Sequence, residues 1–169
     1  MTYFNNICIN FAFINDKKIT FKIMGTIPIA SDHAGFQLKE QLKAYLESKG
    51  FEIKDMGCYS EESTDYPDVI HPIANLINKG EYEFGFIMCG SGNGVSMVAN
   101  KYENVRCALC WNAEISALAK KHNNANIVAL PARFITFDEA KEIVNSYLSS
   151  DFEGGRHQRR IEKIKQILH

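Results

Sequence analysis

From Ile27 to Leu148 the chain alternates short apolar runs with longer stretches of helical periodicity, and this alternation restricts the fold more than any other feature. Ile27–Ser31, Phe51–Asp55, Phe84–Met88, Arg106–Cys110 and Asn126–Leu130 have the length and apolar content of strands. Between the first two, Gly35 to Lys49 sets Leu38, Leu42, Tyr45 and Leu46 at helical spacing and stops at Gly50. Pro67 opens a second helix that carries Ile70, Ile73 and Ile77 on one face and ends at Gly80. Val95 to Lys101, a segment holding Ile115, Leu118 and Ala119, and Phe137 to Leu148 read as three more. Strand and helix in strict alternation imply an α/β doubly wound parallel five-stranded sheet with helices on both faces. The expected strand order is 2-1-3-4-5, with a ligand crevice where the winding reverses between strands one and three.

Two polar loops flank that crevice. Asp32-His33 follows strand one, and Cys89-Gly-Ser-Gly-Asn-Gly94 follows strand three. A strand running through a glycine-rich turn into a helix aims successive backbone N–H groups, and the positive end of the helix dipole, at one spot. An anion, or an oxygen becoming one, suits that spot. Cys89 at its lip is expected to gain thiolate character. Each feature also has a plain structural explanation. Asp32 can simply cap a helix, the glycines can relieve a tight turn, and Cys89 can be a small core residue. What favours function is that the topology brings both loops to one crevice.

Other signals carry less. His122-Asn123 ends the fourth helix, at the rim opposite the crevice, so this His reaches Cys89 only if the helix end folds back or serves another subunit's pocket. Arg156 and Arg160 are four apart and share a helix face with the geometry of a forked phosphate clamp; His157 and Arg159 lie beside them. Gly154-Gly155 lets this last segment, Arg156 to Leu168, swing so that Ile161, Ile164 and Leu168 pack on a partner chain. Cys107 and Cys110 have a redox spacing but fall within a strand, facing opposite sides. The glycine turn is neither a dinucleotide fingerprint nor a nucleotide P-loop, and no four-ligand metal spacing occurs.

At 169 residues, 46% hydrophobic and 23% charged, the chain can bury one substantial core. A net charge of -1 leaves no basic surplus for nucleic acid, and no apolar run approaches the roughly 18 residues that span a membrane. Five cysteines without regular spacing suit a reducing, cytoplasmic setting. Residues 1–23 look different: an extra edge strand, a disordered tail or an upstream start are all open, and a dispensable extension ahead of a single domain over residues 24–169 is favoured.

In order, Ser31-Asp-His-Ala-Gly35, Thr64-Asp-Tyr-Pro67, Cys89 to Gly94, Ala99-Asn-Lys101, His122-Asn123 and Gly154-Gly-Arg-His157 make the chain resemble the ribose-5-phosphate isomerase type B family, which also holds galactose- and allose-6-phosphate isomerases. The resemblance starts near Met24 and implies interconversion of an aldose phosphate and its ketose through an enediolate in the pentose phosphate pathway, with no metal or cofactor. It implies that Cys89 moves the proton between C1 and C2. A related branch uses a Glu where this chain has Val95. Ser91 and His122 resemble the groups that open the furanose ring, and Asp32 and Tyr66 those that orient the sugar. Asn123 and the amides of Gly90, Ser91, Gly92, Asn93 and Gly94 would hold the enediolate. His33, Arg133, Arg156 and Arg160 resemble the phosphate contacts. In the family, His122 and the C-terminal arginines serve a neighbouring subunit, so the resemblance implies a homodimer or dimer of dimers. A six-carbon sugar phosphate as substrate, a non-catalytic sugar-phosphate binder, and a Cys–His hydrolase or redox protein are the alternatives.

Overall fold

The computed structural model describes residues 25–165; the extension over residues 1–23 and the terminal Leu168 lie outside them. The expected fold class is observed. Strands β1 (Ile27–Ser31), β2 (Ile53–Asp55), β3 (Gly85–Cys89), β4 (Cys107–Leu109) and β5 (Ile127–Pro131) form one parallel sheet. Helices α1 (Phe36–Ser48), α2 (Tyr66–Asn78), α3 (Asn93–Ala99), α4 (Ala113–Asn123), α5 (Phe137–Leu148) and α6 (Arg156–Glu162) surround it.

The strand order is β2-β1-β3-β5-β4, so the expected 2-1-3-4-5 is corrected at its last two places. The reason lies in what each strand can bury. Ile127-Val-Ala-Leu-Pro131 is apolar throughout and buried at every position, as a strand with neighbours on both sides must be. Cys107-Ala-Leu109 is shorter and only half-buried, which suits the edge. The winding therefore reverses a second time, and right-handed crossovers then fix the layers. Leu38, Leu42 and Leu46 of α1 share one core cluster with Ala119 of α4 and with Ala140, Ile143, Val144 and Tyr147 of α5. Ile70, Ile73, Ala74 and Ile77 of α2 join Val95 and Ala99 of α3 in the cluster on the other face. Cys110 belongs to the first cluster and Cys107 packs on the second, on opposite sides of the sheet as expected.

One polar group breaks the apolar face of α1. Lys39 is completely buried, one helical turn before Leu42, and its ammonium lies 2.6 Å from Asp55 and 2.7 Å from Glu40. Asp55 also meets Lys43 at 3.1 Å and accepts the Gly57 N–H at 3.0 Å. Burial alone would raise the Asp55 pKa; the Lys39, Gly57 and Lys43 contacts outweigh it and hold the carboxyl below the usual range. Ser31 N–H then donates to Gly57 O at 2.6 Å, and Cys58 N–H to Ser31 O at 2.7 Å. The long loop after β2 is thereby fastened to the end of β1, which carries Asp32.

Candidate active site

β1 and β3 pair in register through Ser31 and Met88, so Asp32 and Cys89 leave the sheet side by side. Asp32 N–H donates to Met88 O at 3.1 Å, and its Oδ1 accepts Gly35 N–H at 3.0 Å, capping the single 3₁₀ turn His33–Gly35. The capping explanation for Asp32 is thus correct, and the same bond holds the residue at the crevice. That turn lies hard against β3. A Cβ on Gly35 would come within 2.9 Å of Met88 O, so only glycine fits. His33 Nδ1 accepts the Thr64 N–H at 3.3 Å, which leaves Nε2 as the protonated nitrogen of the neutral ring.

The glycine turn is built as a cradle, with two of its amides turned inward. Gly92 adopts φ 74°, a left-handed conformation natural to glycine, and its N–H donates to Cys89 Sγ at 3.1 Å. Asn93 N–H donates to Ser91 Oγ at 3.4 Å. Helix α3 opens at Asn93, two residues earlier than expected, so Asn93 and Gly94 form its first turn. Cys89 is 5% exposed and packs with Ala30, Val95 and Ala129, so the thiol sits beneath the turn rather than projecting from its lip. Walls rise on either side. The Tyr66 ring lies 2.9 Å from where a Cβ on Gly94 would stand, and the Arg133 side chain 3.3 Å from one on Gly90. Arg133 is fixed there by its own N–H, which donates to Gly90 O at 3.0 Å. Asp32, His33, Tyr66, Cys89, Gly90, Gly92, Gly94 and Arg133 therefore gather at the C-terminal ends of β1, β3 and β5, with exposed Ser91 and Asn93 on the glycine turn.

His122, Asn123, Arg156 and Arg160 are not in that group. Asn123 O accepts from Arg106 Nε at 3.1 Å, beside the beginning of β4. The five residues of β5 separate this end from the cradle, roughly 16 Å at about 3.3 Å per residue. At this far end the His122 and His157 rings stack with centroids 4.2 Å apart and planes 3° apart. Arg156 Nε donates to His157 Nε2 at 3.4 Å, and Glu153 Oε2 lies 3.7 Å from Nε2 of both imidazoles. A groove of about 610 Å³ opens nearby, bordered by Asn100, Arg106, Asn123 and Ile164; none of the cradle residues lines it.

Three participants were not singled out by the sequence, although Thr64 stands in the Thr64-Asp-Tyr-Pro67 motif. Thr64 Oγ1 is buried without a hydrogen-bond partner. Glu153 stands only as the residue before a glycine pair, and the Lys39–Asp55 pair was detectable solely as a Lys on an apolar helix face. Cys110 is pushed up to about 11 by burial, and burial likewise raises Cys107, so neither is a neutral-pH nucleophile.

Comparison with known proteins bears on the chain's family and fold. The Ribose/Galactose Isomerase family profile matches residues 27–164. Ribose-5-phosphate isomerase B of Escherichia coli K12 is 38% identical over 144 residues, covering 85% of this chain and 97% of that protein. The crystal structure of a ribose 5-phosphate isomerase from Thermotoga maritima superposes with a TM-score of 0.82 at 50% identity, over 84% of this chain and 98% of that one. Ribose-5-phosphate isomerase B from Mycoplasma genitalium, solved with bound ribulose-5-phosphate, gives 0.79 at 43% identity, over 83% and 93% of the two chains. With its profile matched from β1 through Ile164, this chain belongs to the ribose/galactose isomerase family.

Proposed function

We propose that this chain is an aldose–ketose isomerase that interconverts D-ribose 5-phosphate and D-ribulose 5-phosphate. The observation that supports the reading is that Cys89, the Asp32-His33 pair and Arg133 lie together at the C-terminal ends of neighbouring strands. Taking a proton from carbon next to a carbonyl needs a base and leaves charge on oxygen. Cys89 is that base, and a positioned base is worth on the order of 10² to 10⁴ in rate. Backbone amides of the Gly90–Gly94 turn meet the enediolate oxygen, where one well-aimed donor contributes roughly 10² to 10³. Asp32 and Tyr66 orient the sugar, and Arg133 with His33 Nε2–H binds the phosphate, fixing the reacting carbons through a remote group.

Ring opening needs a further acid–base group, which is assigned to Ser91 and His122. The separation of His122, Asn123, Arg156 and Arg160 from the cradle is then explained by a second copy. In a two-fold dimer the far end of one protomer completes the cradle of the other. The single-domain reading of residues 24–169 and a cytoplasmic setting belong to the same proposal.

Cys89→Ala should abolish isomerisation and the exchange of solvent deuterium into C2 of ribose 5-phosphate, while phosphate binding survives. Exchange at the native rate would sink the mechanism, and a covalent sugar adduct on Cys89 would favour the hydrolase alternative. Rates on ribose 5-phosphate set against allose and galactose 6-phosphates decide the substrate.

A further inference from the structure

The far-end cluster holds a carboxylate that the reaction as outlined does not use. We infer that Glu153 is a positioning residue for His122, holding its imidazole on the His157 ring for ring opening; this rests on the isomerase reading above. Glu153 is tied to the end of α4 by its own N–H, which donates to Lys121 O at 3.0 Å, one residue before His122. Its Oε2 stands 3.7 Å from His122 Nε2. His157, buried beneath and stacked at 4.2 Å, is the platform that fixes the plane of the His122 ring.

The two rings are not equivalent. His157 Nε2 accepts the Arg156 Nε–H, so that nitrogen carries no proton. Burial, and then the neighbouring His122 and Arg156, push its pKa down. Two stacked imidazoles also resist sharing two charges. As the C1–O4 bond of the furanose breaks, the anomeric hydroxyl therefore gives its proton to His122, which returns it to the ring oxygen, and Glu153 is the carboxylate placed to stabilise the imidazolium between the two transfers. In the neutral ring the same carboxylate favours the proton on Nε2, leaving Nδ1 as the nitrogen that exchanges one with the sugar.

Two imidazoles and a carboxylate with ligand atoms within 4.8 Å of one another also have the composition of a zinc set. Against a dication stand the Arg156 guanidinium, 3.4 Å from the nitrogen a metal would need, and the positive charge of Arg160. Stacked rings 3° apart also do not point at a common centre. The surroundings favour a proton.

The test has two readouts on full-length protein. Long-range ¹H–¹⁵N spectra of the His122 ring should show the Nε2–H tautomer in the wild type and a mixture in Glu153→Ala. Identical tautomer populations would overturn the inference, and this readout does not depend on activity. Second, Cys89→Ala should still open the ring without isomerising, so exchange NMR between the anomers of ribose 5-phosphate isolates that step. Adding Glu153→Gln should slow the catalysed exchange roughly tenfold or more, with partial recovery in Glu153→Asp and an unchanged melting temperature. Exchange unaffected by Glu153→Gln would also overturn it. A tautomer change with no isomerisation by the wild type would count against the isomerase reading and leave the Glu153–His122 contact supported.

Discussion

Gly35 and Gly94 show how tightly single positions are determined around the crevice. A Cβ on Gly35 meets the Met88 carbonyl carbon and oxygen at 3.0 and 2.9 Å, and backbone cannot swing aside as a side chain can. Gly35→Ala should therefore cost about 1–3 kcal/mol in chemical denaturation, the usual penalty for overpacking. At Gly94 the obstacle is the Tyr66 ring, a movable side chain that is part of the proposed site. Gly94→Ala should leave the denaturation midpoint close to wild type and lower kcat/KM for ribose 5-phosphate roughly tenfold by displacing that ring. The sequence marks both glycines as members of motifs, yet what crowds them is set by the pairing of β1 with β3 and by the docking of α2, which only the fold reveals. Asp32 was legible as either cap or functional group, and one bond to Gly35 N–H makes it the cap that stands at the crevice.

Among the elements, α1 and the loop after β2 depend on one buried ion pair. Lys39 has no exposed surface, and Asp55 is its closest carboxylate at 2.6 Å. Lys39→Ala should destabilise the fold by about 3 kcal/mol, because it strands a partly buried carboxylate with Lys43 as its remaining cation. The pH dependence follows from Asp55, whose folded pKa lies below its unfolded one. Its contribution is complete above the unfolded carboxylate pKa of about 3.9. It disappears as pH falls through the lower folded value, so acid unfolding of Asp55→Asn should show a weaker pH dependence in that window. Helix and strand existence was readable from periodicity, whereas the exchange of β4 and β5 was not. Both runs are short and apolar, and what separates them is that Ile127–Pro131 can be buried from end to end while Cys107–Leu109 cannot.

At the scale of the whole molecule, the residues that resemble a single active site lie at two ends of one protomer. The sequence itself points to this division, since a helix C-terminus in a doubly wound fold belongs to the rim opposite the crevice. Glu153 and the His122–His157 stack were not legible, because their meeting depends on how the turn at Gly154 and Gly155, with φ of 64° and 54°, returns α6 to α4. In the proposed dimer one copy supplies Cys89 and its cradle while another supplies His122. Subunit complementation between Cys89→Ala and His122→Gln is the decisive experiment. Each variant alone should be folded and inactive. After the two are mixed and allowed to exchange, half the dimers are mixed and one of their two pockets is intact, so about a quarter of wild-type isomerase activity should return. No recovery from demonstrably mixed dimers would contradict the shared site.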